Sequence, residues 1–251
     1  MNILVTICAR AGSKGVRSKN IRAFCGNPLV LYTLEVYKSF CEEIRSTVGE
    51  VHLALNTDSE KLITQVNESG VEYVLIRRED TLAGDTVSKF DVIKDTLIKT
   101  EDVCKKEYDV VIDLDLTSPL RTWKDVMGTF RTLLEDEYAD IAYSVTEARR
   151  SPYFNMVCKG ENNYYRTIIE SNFVARQQTP VCYDMNASIY AYRREYLLRG
   201  TMHKRKALIW RMEDTGVLDI DSEKDFELLE IIFRYFISTR KEFRSQFIQL
   251  F

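Results

Sequence analysis

The chain has 251 residues, 45% hydrophobic and 29% charged, with 35 basic against 38 acidic side chains and a formal net charge of -3. That length supports one substantial core, and so even a charge balance excludes nucleic-acid binding through bulk electrostatics; an anion must be met by locally clustered cations. His52 and His203 are the only histidines, which argues against a multi-histidine metal site or a histidine relay.

In chain order, Ile3–Cys8 is a continuous apolar run that predicts a strand, ending in Ala9-Arg10-Ala11-Gly12. Pro28 to Phe40 carries Leu29, Leu31, Leu34, Val36 and Tyr37 at helical spacing. Val51–Leu55 predicts a second strand, Ser59 to Ser69 a helix stopped by Gly70, and Val71–Ile76 a third strand. Thr86 to Lys99 is helical, Asp109–Leu116 a fourth strand, Thr122 to Glu135 a helix, and Ile141–Val145 a fifth strand. Strands apolar on both faces and separated by helices predict an α/β fold, with a mostly parallel sheet and helices on both faces. Ligands of such sheets bind beyond the carboxyl ends of the strands, which directs attention to Ala9–Asn20, Asn56–Ser59 and Asp113–Arg121.

From about 151 to 180 the pattern changes: Tyr, Asn and Phe are frequent and no long helix is visible, as in an inserted antiparallel hairpin or arm. Ala187–Arg193 reads as a return to the main sheet, and Ser222 to Arg234 as an amphipathic helix. No linker or repeat interrupts the chain, so residues 1–251 are expected to form one domain carrying that arm. The aromatic segment Tyr235 to Phe251 is expected to pack, on its own domain or on a partner subunit. The six cysteines are scattered, none in a C-x-x-C pair, and no apolar run approaches the roughly 20 residues that span a bilayer. Met1 leads directly into the first strand, and the expectation is a cytoplasmic protein with reduced thiols, not bound to membrane or nucleic acid.

Four segments carry chemistry. Ala9 to Asn20 joins the first strand to the first helical segment and holds Arg10, Lys14, Arg17 and Lys19 beside Gly12 and Gly15. Four cations with bare glycine amides suit a triphosphate, although neither the Walker pattern nor the dinucleotide glycine fingerprint is present. Asp113 and Asp115 stand two apart on an otherwise apolar strand, hence on one face, and such carboxylates need a partner, a metal or the open end of the sheet. Asp219 and Asp221 repeat that spacing just before a helix for which Asp221 or Ser222 is a good cap; capping explains Asp221 but not Asp219, and oxygen ligands of this kind suit Mg²⁺. Asn186 sits just before a strand, where its amide suits a sugar hydroxyl or amide, or simply opens a turn; Arg149, Arg150 and Arg176 are candidate carboxylate forks.

Taken in order, Ala9-Arg-Ala-Gly-Ser-Lys-Gly15, Leu82-Ala-Gly-Asp-Thr86, Thr117-Ser-Pro-Leu-Arg121, Asn186-Ala-Ser-Ile-Tyr190 and Asp219-Ile-Asp221 resemble the acylneuraminate cytidylyltransferase family. Asp113-Leu-Asp115, Arg150-Ser-Pro-Tyr-Phe-Asn155 and Cys182 to Tyr190 are most similar to its CMP-legionaminate synthase branch. The resemblance implies a Rossmann-like nucleotidyltransferase fold, a homodimer exchanging the arm, and transfer of CMP from CTP to an acidic nine-carbon sugar for bacterial surface-glycan or flagellin glycosylation. It implies Arg10, Ala11, Gly12, Ser13, Lys14 and Lys19 at the CTP phosphates, with Asn20, Arg78, Asp85 and Thr86 near the cytidine. Mg²⁺ would rest on Asp219 and Asp221, and Asp115, Arg176, Gln177 and Asn186 would face the sugar; Arg10, Lys14 and Asp221 are the expected catalytic residues. Most family members carry Gln-Pro where this chain has Asp115-Leu116, and an anion there favours amino, amidino or acetamido substituents on the sugar. The alternatives are CMP-sialate or CMP-3-deoxy-manno-octulosonate synthesis, or a nucleotide-binding module without transfer; a Rossmann dehydrogenase is disfavoured by the missing glycines.

Overall fold

The structure is a computed structural model describing residues 1–12, 16, 18–84, 87–200, 205–213 and 219–251. Its elements in order are β1 (Ile3–Cys8), β2 (Ala23–Phe24), β3 (Asn27–Pro28), α1 (Leu29–Ile44), β4 (Val51–Thr57), α2 (Glu60–Glu68), β5 (Val74–Arg77), α3 (Lys89–Cys104), β6 (Val110–Leu114), α4 (Trp123–Glu135) and β7 (Ile141–Glu147). Then come β8 (Val157–Lys159), β9 (Tyr165–Thr167), β10 (Tyr183–Arg193), α5 (Arg194–Arg199), β11 (Ala207–Arg211), α6 (Glu223–Thr239) and α7 (Lys241–Gln246).

Seven strands form the central sheet in the order β11-β7-β10-β6-β1-β4-β5. All neighbours are parallel except those of β10, which runs antiparallel between β6 and β7. The chain leaves β1 toward β4 and β5, then returns to β6 on the other flank of β1. The β1/β6 boundary is therefore the topological switch point, where an open α/β sheet forms a crevice at its carboxyl ends.

Alternation along the strands divides the core. Ile3, Val5 and Ile7 of β1, with Val110, Ile112 and Leu114 of β6, face a large cluster fed by α1, α2, α4 and α6. Leu4 and Val111 face a second cluster with Phe90, Ile93 and Leu97 of α3 and Tyr196 of α5. By the same period of two, Thr6 and Asp113 fall on the α3 side, and the Thr6 hydroxyl donates to Asp113 Oδ1 at 2.8 Å.

Helix starts follow local chemistry. Ser59 caps α2, accepting from the Leu62 amide at 3.3 Å, and reciprocal capping boxes, Thr122 with Asp125 and Ser222 with Asp225, open α4 and α6. Ser222, rather than Asp221, is thus the cap of α6. The 151–180 segment contains the antiparallel β8–β9 hairpin, and exposes Phe154, Met156, Val157, Tyr164 and Tyr165. Phe236, Phe243 and Phe247 close over Tyr32 and Phe233, so Tyr235 to Phe251 packs on its own core.

Two features depart from the sequence-based expectation. β10 begins at Tyr183, not Ala187, and crosses an irregularity between Met185 and Tyr190 where Ala187 adopts φ 51°. Asn186 consequently lies within a strand, and its buried amide accepts from Ser144 Oγ at 2.7 Å. β11, a parallel edge strand on β7, is an additional element that the apolar pattern did not signal.

Candidate active site

A cavity of about 470 Å³ opens at the switch point, lined by residues following β1, β5 and β6 and by Asp219 and Asp221. Arg10, Gly12, Lys19, Asn20, Arg78, Asp115, Asp219 and Asp221, all singled out from sequence, line this one space. Ser13, Lys14, Asp85 and Thr86 lie outside the described residues.

The loop after β1 is tied down from several sides. Ala9 N donates to the Asn56 carbonyl at 3.0 Å, Ala11 N donates to Asp58 Oδ1 at 2.6 Å, and Asn20 Nδ2 donates to the Arg10 carbonyl at 2.9 Å. Arg10 itself donates to the Ala83 carbonyl at 3.1 Å. These bonds consume backbone and anchor atoms and hold the cations against one wall. Arg78 is half-buried, donating to Asn56 Oδ1 at 2.7 Å and to the Asn56 carbonyl at 3.2 Å; burial lowers its guanidinium pKa from the ordinary value. A cation so desolvated favours an anionic or hydrogen-bond-accepting ligand.

Opposite stands the acidic pair. Ile220 N donates to the Thr117 carbonyl at 3.1 Å, which docks the 219–221 strip onto the loop after β6. Lys19 Nζ donates to the Ile220 carbonyl and stands 3.5 Å from Asp221 Oδ1, joining the basic loop to this strip. Asp221 is 81% exposed at its side chain and, with Ser222 as cap, is relieved of capping. Asp219 is different: burial, then the nearby Asp115, raise its carboxyl pKa, and its Oδ1 is buried without a hydrogen-bond partner. A carboxylate in that state is stabilised by a cation. No group of three or more His, Cys, Asp or Glu side chains converges into a closed metal site among the described residues. The unpartnered Asp219 oxygen and the exposed Asp221 carboxylate fit a hard divalent ion that would draw its other ligands from phosphate and water.

The floor is a buried ion-pair cluster that sequence reasoning did not foresee. Lys89, the first residue of α3, places Nζ 2.8 Å from Asp113 Oδ2 and 2.5 Å from Asp115 Oδ2. Burial alone would lower the Lys89 pKa, but Asp113 and then Asp115 drive it well above its ordinary value. Burial likewise opposes ionisation of Asp115, and Lys89 with the Thr117 amide and hydroxyl overcomes it, holding that carboxyl well below the usual range. The available signal was the need of two adjacent strand carboxylates for a counter-cation; its location was not encoded by spacing. Beneath them Arg121, 1% exposed, donates to the carbonyls of Asp115 at 3.0 Å and Ser188 at 2.8 Å and to Thr33 Oγ1 at 3.0 Å. Burial pulls its pKa down to about 10, and its place is structural.

The remaining sugar-site residues are not brought into this cavity. Arg176 and Gln177 line a separate space of about 420 Å³ with Arg150, Ser151 and Thr179, and Arg176 donates to the Ala148 carbonyl at 2.9 Å. Asn186 spends its amide on Ser144 and on Met212 Sδ at 3.2 Å.

Comparison with known proteins gives the family and the fold. The cytidylyltransferase family model matches residues 4–241. Post-translational flagellin modification protein B of Campylobacter coli is 35% identical over 92% of this chain and 95% of its own length. CMP-N,N'-diacetyllegionaminic acid synthase of Campylobacter jejuni is 35% identical over 92% of this chain and 94% of its own. N-acylneuraminate cytidylyltransferase of Escherichia coli is 27% identical over 90% of this chain but only 51% of its own length. Among solved structures, a CMP:2-keto-3-deoxy-manno-octonic acid synthetase complexed with CTP superimposes with a TM-score of 0.65 at 17% identity, covering 94% of this chain and 99% of that one. That likeness establishes the Rossmann-like nucleotidyltransferase fold.

Proposed function

The chain belongs to the cytidylyltransferase family, and from that premise we propose that it transfers CMP from CTP to a nine-carbon 2-keto sugar acid, N,N'-diacetyllegionaminic acid or a close relative, releasing pyrophosphate. The observation that carries the reading is the convergence of Arg10, Lys19, Asn20 and Arg78 with Asp219 and Asp221 around one cavity at the switch point. A cationic wall facing an acidic pair suits a nucleoside triphosphate and its divalent cation.

In this reaction the anomeric hydroxyl attacks the α-phosphorus in line and pyrophosphate departs. The protein supplies position and charge, without a covalent intermediate. Arg10, Lys14 and Lys19 take the charge gathering on the leaving pyrophosphate, with Ala11, Gly12 and Ser13 shaping the phosphate loop. Asn20, Arg78, Asp85 and Thr86 hold the cytidine. Asp219 and Asp221 would hold Mg²⁺, which would supply positive charge to neutralise the phosphates. Asp221, the exposed member of the pair, or a water beside it is the candidate acceptor of the hydroxyl proton.

The 151–180 arm, with its exposed aromatic and aliphatic side chains, is the surface we assign to a homodimer contact. Arg176, Gln177 and Asn186 are assigned to the sugar, the first two through that contact, since they stand away from the main cavity. We place the enzyme in the cytoplasm, where CTP is available; among the described residues no helix is long and apolar enough to cross a membrane. Its role would be to activate the sugar for surface-glycan or flagellin glycosylation.

Incubation with CTP, Mg²⁺ and N,N'-diacetyllegionaminic acid, followed by mass spectrometry, tests the assignment. A CMP–sugar conjugate is the expected product. CTP binding with no conjugate from any nonulosonic acid would reject it in favour of a nucleotide-binding module.

A further inference from the structure

Lys89 and Asp115 stand at the cavity floor, both lining it, with Nζ and Oδ2 2.5 Å apart. An ammonium offers three donors and a carboxylate about four acceptor positions. Lys89 donates to Asp115 Oδ2 and pairs its charge with Asp113 Oδ2 at 2.8 Å. Asp115 spends Oδ1 on the Thr117 amide at 3.1 Å and hydroxyl at 2.9 Å, and part of Oδ2 on Lys89. At least one donor on Lys89 and one acceptor position on Asp115 remain, both groups line the cavity, and the Lys89 side chain is 35% exposed.

A single hydroxyl both donates and accepts at one oxygen, and so answers both positions together. An ammonium or amidinium on the ligand offers donors only and meets Lys89 as a like charge. The surroundings fix the pair. Asp113 is fully buried and bonded to Thr6 Oγ1, Ser88 caps α3, and Phe90 packs against Tyr192 and Tyr196 at centroid distances of 6.0 and 5.6 Å. Asp115 follows β6, beyond the switch point from β4 and β5, whereas Arg78 follows β5; with the β1 loop and Arg78 assigned to CTP, the pair is assigned to the acceptor.

We propose that Lys89 and Asp115 form a hydroxyl-binding pair for the acceptor sugar, with Lys89 a specificity-determining residue; this rests on the functional reading above. It bears on the expectation that an anion at position 115 favours amino, amidino or acetamido substituents, because Lys89 together with the buried Arg121 offsets the charge of Asp113 and Asp115.

The test measures the sugar KM, kcat and the CTP Kd for Lys89→Met and for Lys89→Met/Asp115→Asn. The single variant leaves Asp113 and Asp115 facing each other and can fail to fold. The double variant removes one charge of each sign, keeps the cluster at its original net charge, and decides the matter. Its sugar KM is expected to rise about tenfold or more, the usual effect of losing a hydrogen bond to a charged group, with CTP Kd within about twofold. A double variant with wild-type sugar KM would show that Lys89 only neutralises buried carboxylates. A shift in CTP Kd without one in sugar KM would assign the pair to a ribose hydroxyl. Either result overturns the proposal while wild-type turnover leaves the function standing; a wild type inactive on every nonulosonic acid rejects the functional reading itself.

Discussion

Gln246 of α7 donates to the backbone carbonyl of Arg121 at 3.3 Å, 125 positions earlier in the chain. Its Oε1 also accepts from the Trp123 amide at 2.8 Å, so one amide satisfies two backbone groups where α4 begins. Arg121 in turn holds the Asp115 carbonyl and Ser188. The closing aromatic segment is thereby linked through two residues to the cavity floor.

Loss of that link should register in stability. Gln246→Ala leaves two polar backbone groups under-bonded, and a fall of about 1–3 kcal/mol in unfolding free energy is expected. Arg121→Met strips partners from the Asp115 carbonyl, the Ser188 carbonyl and Thr33 Oγ1, and should cost more. Urea titrations of the three proteins check the order; an Arg121→Met midpoint equal to wild type would refute the structural role.

The Lys89–Asp115 pair sets a pH window. Lys89 has a folded pKa above its ordinary 10.5, so its contribution is full below that value and is lost as pH rises through the folded pKa. Asp115 has a folded pKa below its ordinary 3.8, so its contribution is full above that value and is lost as pH falls through the folded pKa. The two overlap across neutrality. The stability difference between wild type and Lys89→Met/Asp113→Asn/Asp115→Asn, which leaves no titrating carboxyl or ammonium in the cluster, is therefore expected to stay flat from about pH 5 to pH 9 and to change only toward the extremes. A steady slope through neutral pH would contradict a charged lysine at this position.

Cys8 ends β1 at the cavity wall, and its thiol is pushed up to about 12 by burial and then by Asp113. The thiolate is the reactive species, so Cys8 should be alkylated by iodoacetamide at pH 8 at least about tenfold more slowly in the native protein than in urea. Peptide mapping reads this directly. Native labelling as fast as in urea would mean that the floor is open to water.

Much of this architecture was legible because it is written in local patterns. β1 and β6 are apolar runs interrupted only by Thr6 and by Asp113, and Ser59, Thr122 and Ser222 announce their helices through hydroxyls followed by acidic or apolar turns. The carboxyl-end rule then directed attention to Arg10, Lys19 and Asp115, while the 219–221 strip was flagged only by the spacing of its two aspartates. The direction of β10 was not legible, since alternation fixes which face a residue takes and not which way a strand runs. β11 escaped because it is a half-exposed edge strand with Ile209 facing out. Asn186 was placed one element too early because an irregular strand looks like a turn. Lys89 was invisible because an ion pair between α3 and β6, 24 or more residues apart, leaves no periodic signature.

The most direct measurement is pyrophosphate release from CTP by wild type and Asp221→Asn side by side, with and without Mg²⁺, on legionaminate, pseudaminate, N-acetylneuraminate and 3-deoxy-manno-octulosonate. Metal-dependent release by the wild type on a nine-carbon acid is expected, with Asp221→Asn slower by roughly 10² to 10³. Silence of the wild type across the panel, or an Asp221→Asn rate close to wild type, would contradict the assignment of this cavity as the site of CMP transfer.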